Sequence, residues 1–182
     1  MPITLTKCPI AGLCEIQPKV FGDERGYFFE SYSEKDFHDA GLTMSFVQDN
    51  QSLSKKGVLR GLHFQKNHPQ GKLVRVIQGE VFDVALDIRT DSPTYGKWHA
   101  VLLDGKKQNQ FYIPEGFAHG FLVLSETALF AYKCTDFYYP EDEGGILWND
   151  RTIAVSWPRI DIPYILSKKD EEWPLFVPKA GT

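Results

Sequence analysis

The sequence predicts an all-β protein, a sandwich or small barrel with short peripheral helices. Short apolar and aromatic runs recur along its 182 residues, separated by turn residues. The run from Val81 to Ile88 alternates, with Phe82, Val84, Leu86 and Ile88 on one face and Asp83 and Asp87 on the other, which is the period of a strand. Helical signals are confined to two brief stretches.

Taken in order, Phe21-Gly22-Asp23-Glu24-Arg25-Gly26 is a polar turn, after which Tyr27 to Tyr32 resumes an extended aromatic pattern. Together they predict a hairpin or a strand crossover. Ser33 to Ala40 is the first helix, with Ser33 as N-cap, Phe37 and Ala40 on its apolar side and Gly41 as its stop. From Phe46 onward the pattern is of strands, Lys72 to Gln78 among them. Trp98 to Leu103 and Gln110 to Ile113 flank Asp104-Gly105, while Phe121 to Leu124 and Ala128 to Cys134 flank Ser125-Glu126-Thr127. Both pairs read as hairpins, the first with a longer loop because of its lysines. After Trp157-Pro158 the chain turns proline-rich, and Ser167-Lys168-Lys169-Asp170 opens a short helix with a capping box. No long-period repeat or low-complexity tract divides the chain. Residues 1–182 are therefore expected to form a single domain, with 158–182 as a C-terminal arm packed on it.

Charged residues make up 24% and the net charge is -4, so no global basic surface points to nucleic acid or an anionic membrane. An anionic ligand has to be met by a local cluster of arginine and lysine. Cys8, Cys14 and Cys134 are odd in number and show no CxxC spacing, which predicts reduced thiols in a cytoplasmic protein. The apolar runs fall short of the roughly 18–20 residues of a membrane span. A glycine-rich nucleotide loop, a GxSxG elbow and an HExxH motif are all missing.

Chemistry concentrates in GVLRGLHFQKNHPQGKLVRVIQG, residues 57–79. Gly57, His63, Gln65, Lys72 and Gly79 fall at the positions of the first signature of the cupin superfamily, and Pro114-Glu115-Gly116-Phe117-Ala118-His119 resembles the second, without its starting glycine (Gln108) and final asparagine (Val123). That resemblance implies a double-stranded β-helix, the cupin jelly roll. Two metal ligands of the signature are replaced: Gln65 is a weak donor, and Lys72 brings a fixed cation that repels a divalent ion. No metal is expected, and Lys72 retains the electrophilic role, since an ammonium stabilises an enolate as a Lewis acid does. A strand lysine is otherwise ordinarily solvated.

His63 is the natural base, since a neutral imidazole accepts a proton near neutral pH, although a lone strand histidine also serves structure. His119 is a second pocket candidate, while His38, His68 and His99 read as surface or loop residues. Tyr132, on one face with Phe130 and Cys134, and Tyr138 can each donate a proton or simply pack. Arg25 and Arg60 suit a pyrophosphate or a structural carboxylate. A regular pleat places Arg60 and His63 on opposite faces, so a bulge at Gly61 is expected.

The segments FGDERGYFFE, FVQDNQS, LRGLHFQ, KLVRVIQGEVFDVALDIR, YIPEGFAHGFLVL and LSKKD together closely resemble the dTDP-4-dehydrorhamnose 3,5-epimerase family, from about residue 3 to about residue 175. The resemblance implies a homodimer that needs no cofactor and acts on a dTDP-sugar, dTDP-4-dehydro-6-deoxy-D-glucose, in dTDP-L-rhamnose synthesis. It implies His63 as base, Asp170 as its orienting carboxylate, Tyr132 as acid on the other face of the sugar and Lys72 against the C4 keto oxygen. It places Arg25, Glu30, Gln48, Asp49, Asn50, Arg60, His119, Tyr138, Glu143 and Lys169 at substrate-binding positions. Single-centre epimerases of related sugars share these residues, and a non-catalytic sugar-nucleotide-binding jelly roll is the alternative from another class.

Overall fold

The structure, a computed structural model, describes residues 3–178. Its strands run in the order β1 (Ile3–Lys7), β2 (Cys14–Pro18), β3 (Phe21–Asp23), β4 (Gly26–Phe28), β5 (Gln48–Lys55), β6 (Leu59–Gln65), β7 (Lys72–Gln78), β8 (Glu80–Asp87), β9 (Trp98–Asp104), β10 (Gln110–Ile113), β11 (Phe117–Val123), β12 (Thr127–Cys134) and β13 (Glu143–Gly145). Helix α1 (Glu34–Asp39) lies between β4 and β5, and α2 (Lys168–Glu172) follows β13. A six-stranded sheet, β1-β2-β10-β7-β12-β5, faces a five-stranded sheet, β13-β6-β11-β8-β9. All their named pairings are antiparallel. This is the jelly roll expected from the sequence.

Both expected hairpins after β8 are crossovers instead. Strand β9 pairs with β8, whereas β10 pairs with β2 and β7; β11 belongs to the five-stranded sheet and β12 to the six-stranded one. Two alternating runs around a turn look the same in sequence whether the second pairs beside the first or folds over to face it. Facing wins here because it closes the core: Leu103 and Phe111, and likewise Val123 and Ala128, meet in one buried cluster between the sheets with Val74, Val76, Val81, Ala85 and Phe130. The polar face expected for Asp83 and Asp87 also points inward, both acids being fully buried.

Outside this core, Leu62, Val84 and Leu86 pack beneath Ile146, Ile153, Trp157 and Phe176 of the C-terminal segment. On the outer face of the other sheet, Cys14, Ile16, Leu73 and Tyr112 are covered by Phe37 of α1. Ser33 caps α1 by accepting from the Asp36 amide, as the sequence predicts. The β3–β4 pair is a hairpin, as expected, but ends at Phe28 and leaves Phe21, Tyr27 and Phe28 exposed. The C-terminal segment is tied to the sheets by a parallel bridge from Ile165 to Val58 and by Leu147 donating to the Pro174 carbonyl.

Candidate active site

A cavity of about 390 Å³ opens between the two sheets, within the size range of small-molecule sites. Alternation decides what reaches it. On β7, Lys72 shares its inward face with Val74 and Val76, so the cation is carried to the end of an apolar wall. Burial lowers the Lys72 pKa, against the raising influence of Cys134, Asp83 and Glu143. The ammonium makes no hydrogen bond or ion pair among the described residues.

On β6 the predicted irregularity is present. His119 pairs with His63 and Phe121 with Arg60, so three steps on β6 match two on β11. Gly61 has φ +126, and a Cβ there would come within 2.5 Å of the Gly120 Cα. Glycine alone lets the two strands touch at this bulge, and as a result Arg60 and His63 line the same cavity. Arg60 donates to Ser54 Oγ at 3.2 Å.

His63 Nε2 lies 2.5 Å from Asp170 Oδ1. Asp170 is brought there by α2: its amide donates to the Ser167 cap, the Ser167 hydroxyl donates to its Oδ2 at 2.7 Å, and the Gly61 amide reaches Oδ1 at 3.4 Å. Burial pushes the Asp170 carboxyl up, but these bonds from His63, Ser167 and Gly61 outweigh it and hold the group at about 2. The carboxylate is therefore ionised and orients the imidazole. Trp173 stands edge-on to His63, with ring centroids 5.9 Å apart.

Tyr132 comes from β12 on the opposite wall, and burial raises its pKa, with Cys134 adding to the effect and Arg60 opposing it. It is a neutral phenol with a proton to give. Tyr138 donates to Glu143 Oε2 at 3.0 Å, and Lys169 donates to both oxygens of Glu143 at 2.7–2.8 Å. Burial disfavours the Glu143 anion, yet the Lys169 and Tyr138 bonds win and lower its pKa. Gln48 and Asn50 of β5 point inward and hydrogen-bond each other at 3.1 Å.

Three expected positions lie elsewhere. Asp49 alternates to the outer face of the sheet, paired with Lys133 at 2.7 Å. Arg25 stands at the exposed tip of the β3–β4 hairpin, bonded to Asp23, and Glu30 follows that hairpin; neither lines this cavity. His99, read as a surface or loop residue, is a half-buried residue of β9. Missed altogether was Asp83. It is fully buried and holds His119 Nε2 at 2.9–3.0 Å, and burial raises its pKa against the pull of His119 and Lys72. An acid in phase with inward Val81 and Ala85 was the available signal.

A cupin metal does not fit this donor set. The Gln65 amide is engaged by backbone groups, and Lys72 puts no carboxylate at the signature's glutamate position. The described residues gather potential metal ligands at one other place, Cys8, Glu15 and His99, with donor atoms within 4.8 Å of one another and outside this cavity lining.

A jelly roll whose inter-sheet cavity brings together a carboxylate-held imidazole, a buried lysine and a facing phenol has the architecture of a cupin. The chain belongs to the dTDP-4-dehydrorhamnose 3,5-epimerase family, whose model matches residues 7–177. It is 56% identical over 171 residues to dTDP-4-dehydrorhamnose 3,5-epimerase of Salmonella typhimurium, covering 93% of both chains. Among solved structures it is similar to the Legionella pneumophila 3,5-epimerase in complex with dTDP-4-keto-L-rhamnose, at 52% identity and a TM-score of 0.92 over 95% of this chain and 92% of that one. A 3'-monoepimerase of Streptomyces bikiniensis in complex with dTDP-quinovose has 31% identity and a TM-score of 0.86 over 92% of this chain and 85% of that one. No helix among the described residues is long and apolar enough to cross a membrane.

Proposed function

We propose that the protein inverts C3 and C5 of dTDP-4-dehydro-6-deoxy-D-glucose to give dTDP-4-dehydro-L-rhamnose, acting as a cytoplasmic homodimer. The observation that carries this reading is that His63 and Tyr132 rise from opposite sheets across one cavity, with Lys72 in the same cavity. A sugar ring bound between the sheets offers one face to each.

The C4 ketone acidifies the hydrogens at C3 and C5, because either carbanion is an enolate delocalised onto the same oxygen. His63, held by Asp170, removes the proton from one carbon, and the electron pair moves to the C4 oxygen. Lys72 stabilises that charge electrostatically. Tyr132 returns a proton to the opposite face, the carbonyl re-forms and the centre is inverted; solvent then takes the His63 proton and restores the Tyr132 phenol. A ring flip presents the second carbon to the same groups. Arg60 and Lys169 face the pyrophosphate, and the half-exposed Tyr138 ring at the cavity mouth offers a stacking surface for the base.

Arg25 reaches substrate in this reading only from the neighbouring copy, its exposed aromatic hairpin serving as the contact. Incubation with the substrate in D₂O, followed by NMR, is the test: deuterium enters at both C3 and C5. Label at one carbon makes the protein a single-centre epimerase, and label at neither removes the reading.

A further inference from the structure

We propose that Gln65 is a positioning residue: its buried amide fixes the backbone of Phe137–Tyr139 and thereby holds the Tyr138 ring where the nucleotide part of the substrate binds. The last clause rests on the function proposed above; the positioning itself rests on geometry. Gln65 occupies a ligand position of the cupin motif, two residues from His63 on the same face of β6, and is 6% exposed. Its Nε2 donates to the His68 carbonyl at 2.6 Å and to the Phe137 carbonyl at 3.0 Å, while its Oε1 accepts from the Tyr139 amide at 2.7 Å. One side chain thus staples the 66–70 loop to the chain linking β12 and β13. From the other sheet, Gln48 Oε1 accepts from the Tyr138 amide at 2.9 Å.

Tyr138 is therefore gripped by its backbone between two glutamines, one from each sheet. Its own side chain, half-exposed, has one hydrogen bond among the described residues, to Glu143. Only a primary amide supplies two donors and an acceptor in this shape. A glutamate would turn a carboxylate toward two carbonyl oxygens, and a methionine would leave the Tyr139 N–H and both carbonyls without their partner.

The test titrates dTDP calorimetrically and measures turnover for wild type, Gln65→Met, Gln65→Glu, Tyr138→Ala and the double variant Gln65→Met/Tyr138→Ala. Gln65→Met is expected to weaken dTDP binding and raise KM by about 10-fold with kcat within about threefold of wild type, since remote binding is lost rather than transition-state stabilisation. The double variant binds dTDP no more weakly than Tyr138→Ala alone, because the two changes remove one thing. In Gln65→Glu the deficit relative to wild type shrinks as pH falls, since the protonated carboxyl regains a donor; this arm stands if the methionine variant does not fold. Additive losses, unchanged dTDP affinity or a pH-independent glutamate deficit would overturn the proposal. If wild type binds no dTDP, the proposed function falls and positioning is read from hydrogen exchange. The Tyr139 amide is expected to exchange at least about 10-fold faster in Gln65→Met while the core Val84 amide is unchanged, and equal Tyr139 exchange overturns it.

Discussion

At the scale of single residues, the chemistry depends on where burial leaves a proton. Lys72 is carried to the end of an apolar wall by strand alternation, and Tyr132, on the neighbouring strand of the same sheet, is kept neutral across the cavity from His63. In the proposed reaction, the placing of His63 and Tyr132 on opposite sheets separates proton removal from proton return. Tyr132→Phe keeps the base and the electrophile, so it should still exchange the abstracted hydrogen with D₂O while retaining configuration, and should lose net inversion by about 10²–10⁴-fold. NMR of recovered substrate distinguishes this from a variant that loses exchange and inversion together, which would assign abstraction to Tyr132. His63, Lys72 and Tyr132 were legible in sequence because each stands at a motif position or on a clear strand face. The His119–Asp83 pair was not, since its partners are 36 residues apart and meet only through the register of β8 against β11.

At the scale of elements, turns and bulges place these groups. The irregularity at Gly61 could be inferred from the conflict between Arg60 and His63, because a two-residue period cannot put both on one face. The crossovers after β9 and β11 could not, because pairing within a sheet and packing across the core demand the same alternation. The turn after β8 is tied by one carboxylate: Asp87 binds Arg89 at 2.7–2.9 Å and accepts from Ser92 and Thr94 at 2.6 Å. Burial raises its pKa, but those bonds outweigh the effect and set it at about 2. A folded-state pKa below the unfolded value of about 3.9 means stability that is complete above pH 4 and lost as pH falls through about 2. Asp87→Asn should therefore unfold at lower urea, by about 2 kcal/mol at pH 6, with the gap to wild type closing between about pH 4 and pH 2. A gap independent of pH would place the contribution elsewhere.

For the whole molecule, the exposed hairpin is the feature a single chain does not explain. Phe21, Tyr27 and Phe28 stand 43%, 58% and 65% exposed beside Arg25. In the proposed homodimer the hairpin of one copy completes the cavity of the other. Subunit exchange between Arg25→Ala and His63→Ala proteins, each impaired alone, then restores about a quarter of wild-type activity, because half the dimers are mixed and each has one intact cavity. No recovery on mixing would confine Arg25 to its own chain. The jelly roll itself was legible because its cupin motifs are local, whereas this arrangement depends on surfaces whose contacts lie outside the chain.

The tether of Asp170 to both Ser167 and His63 also bears on proteolysis. A single cut in the proline-rich stretch between Trp157 and Ser167 leaves every strand of both sheets intact, yet leaves the segment that carries the carboxylate held by noncovalent contacts alone. Limited digestion there should silence proton exchange well before the thermal transition of the sheets disappears. Loss of activity and loss of fold would then be separate events, told apart by following both in one time course.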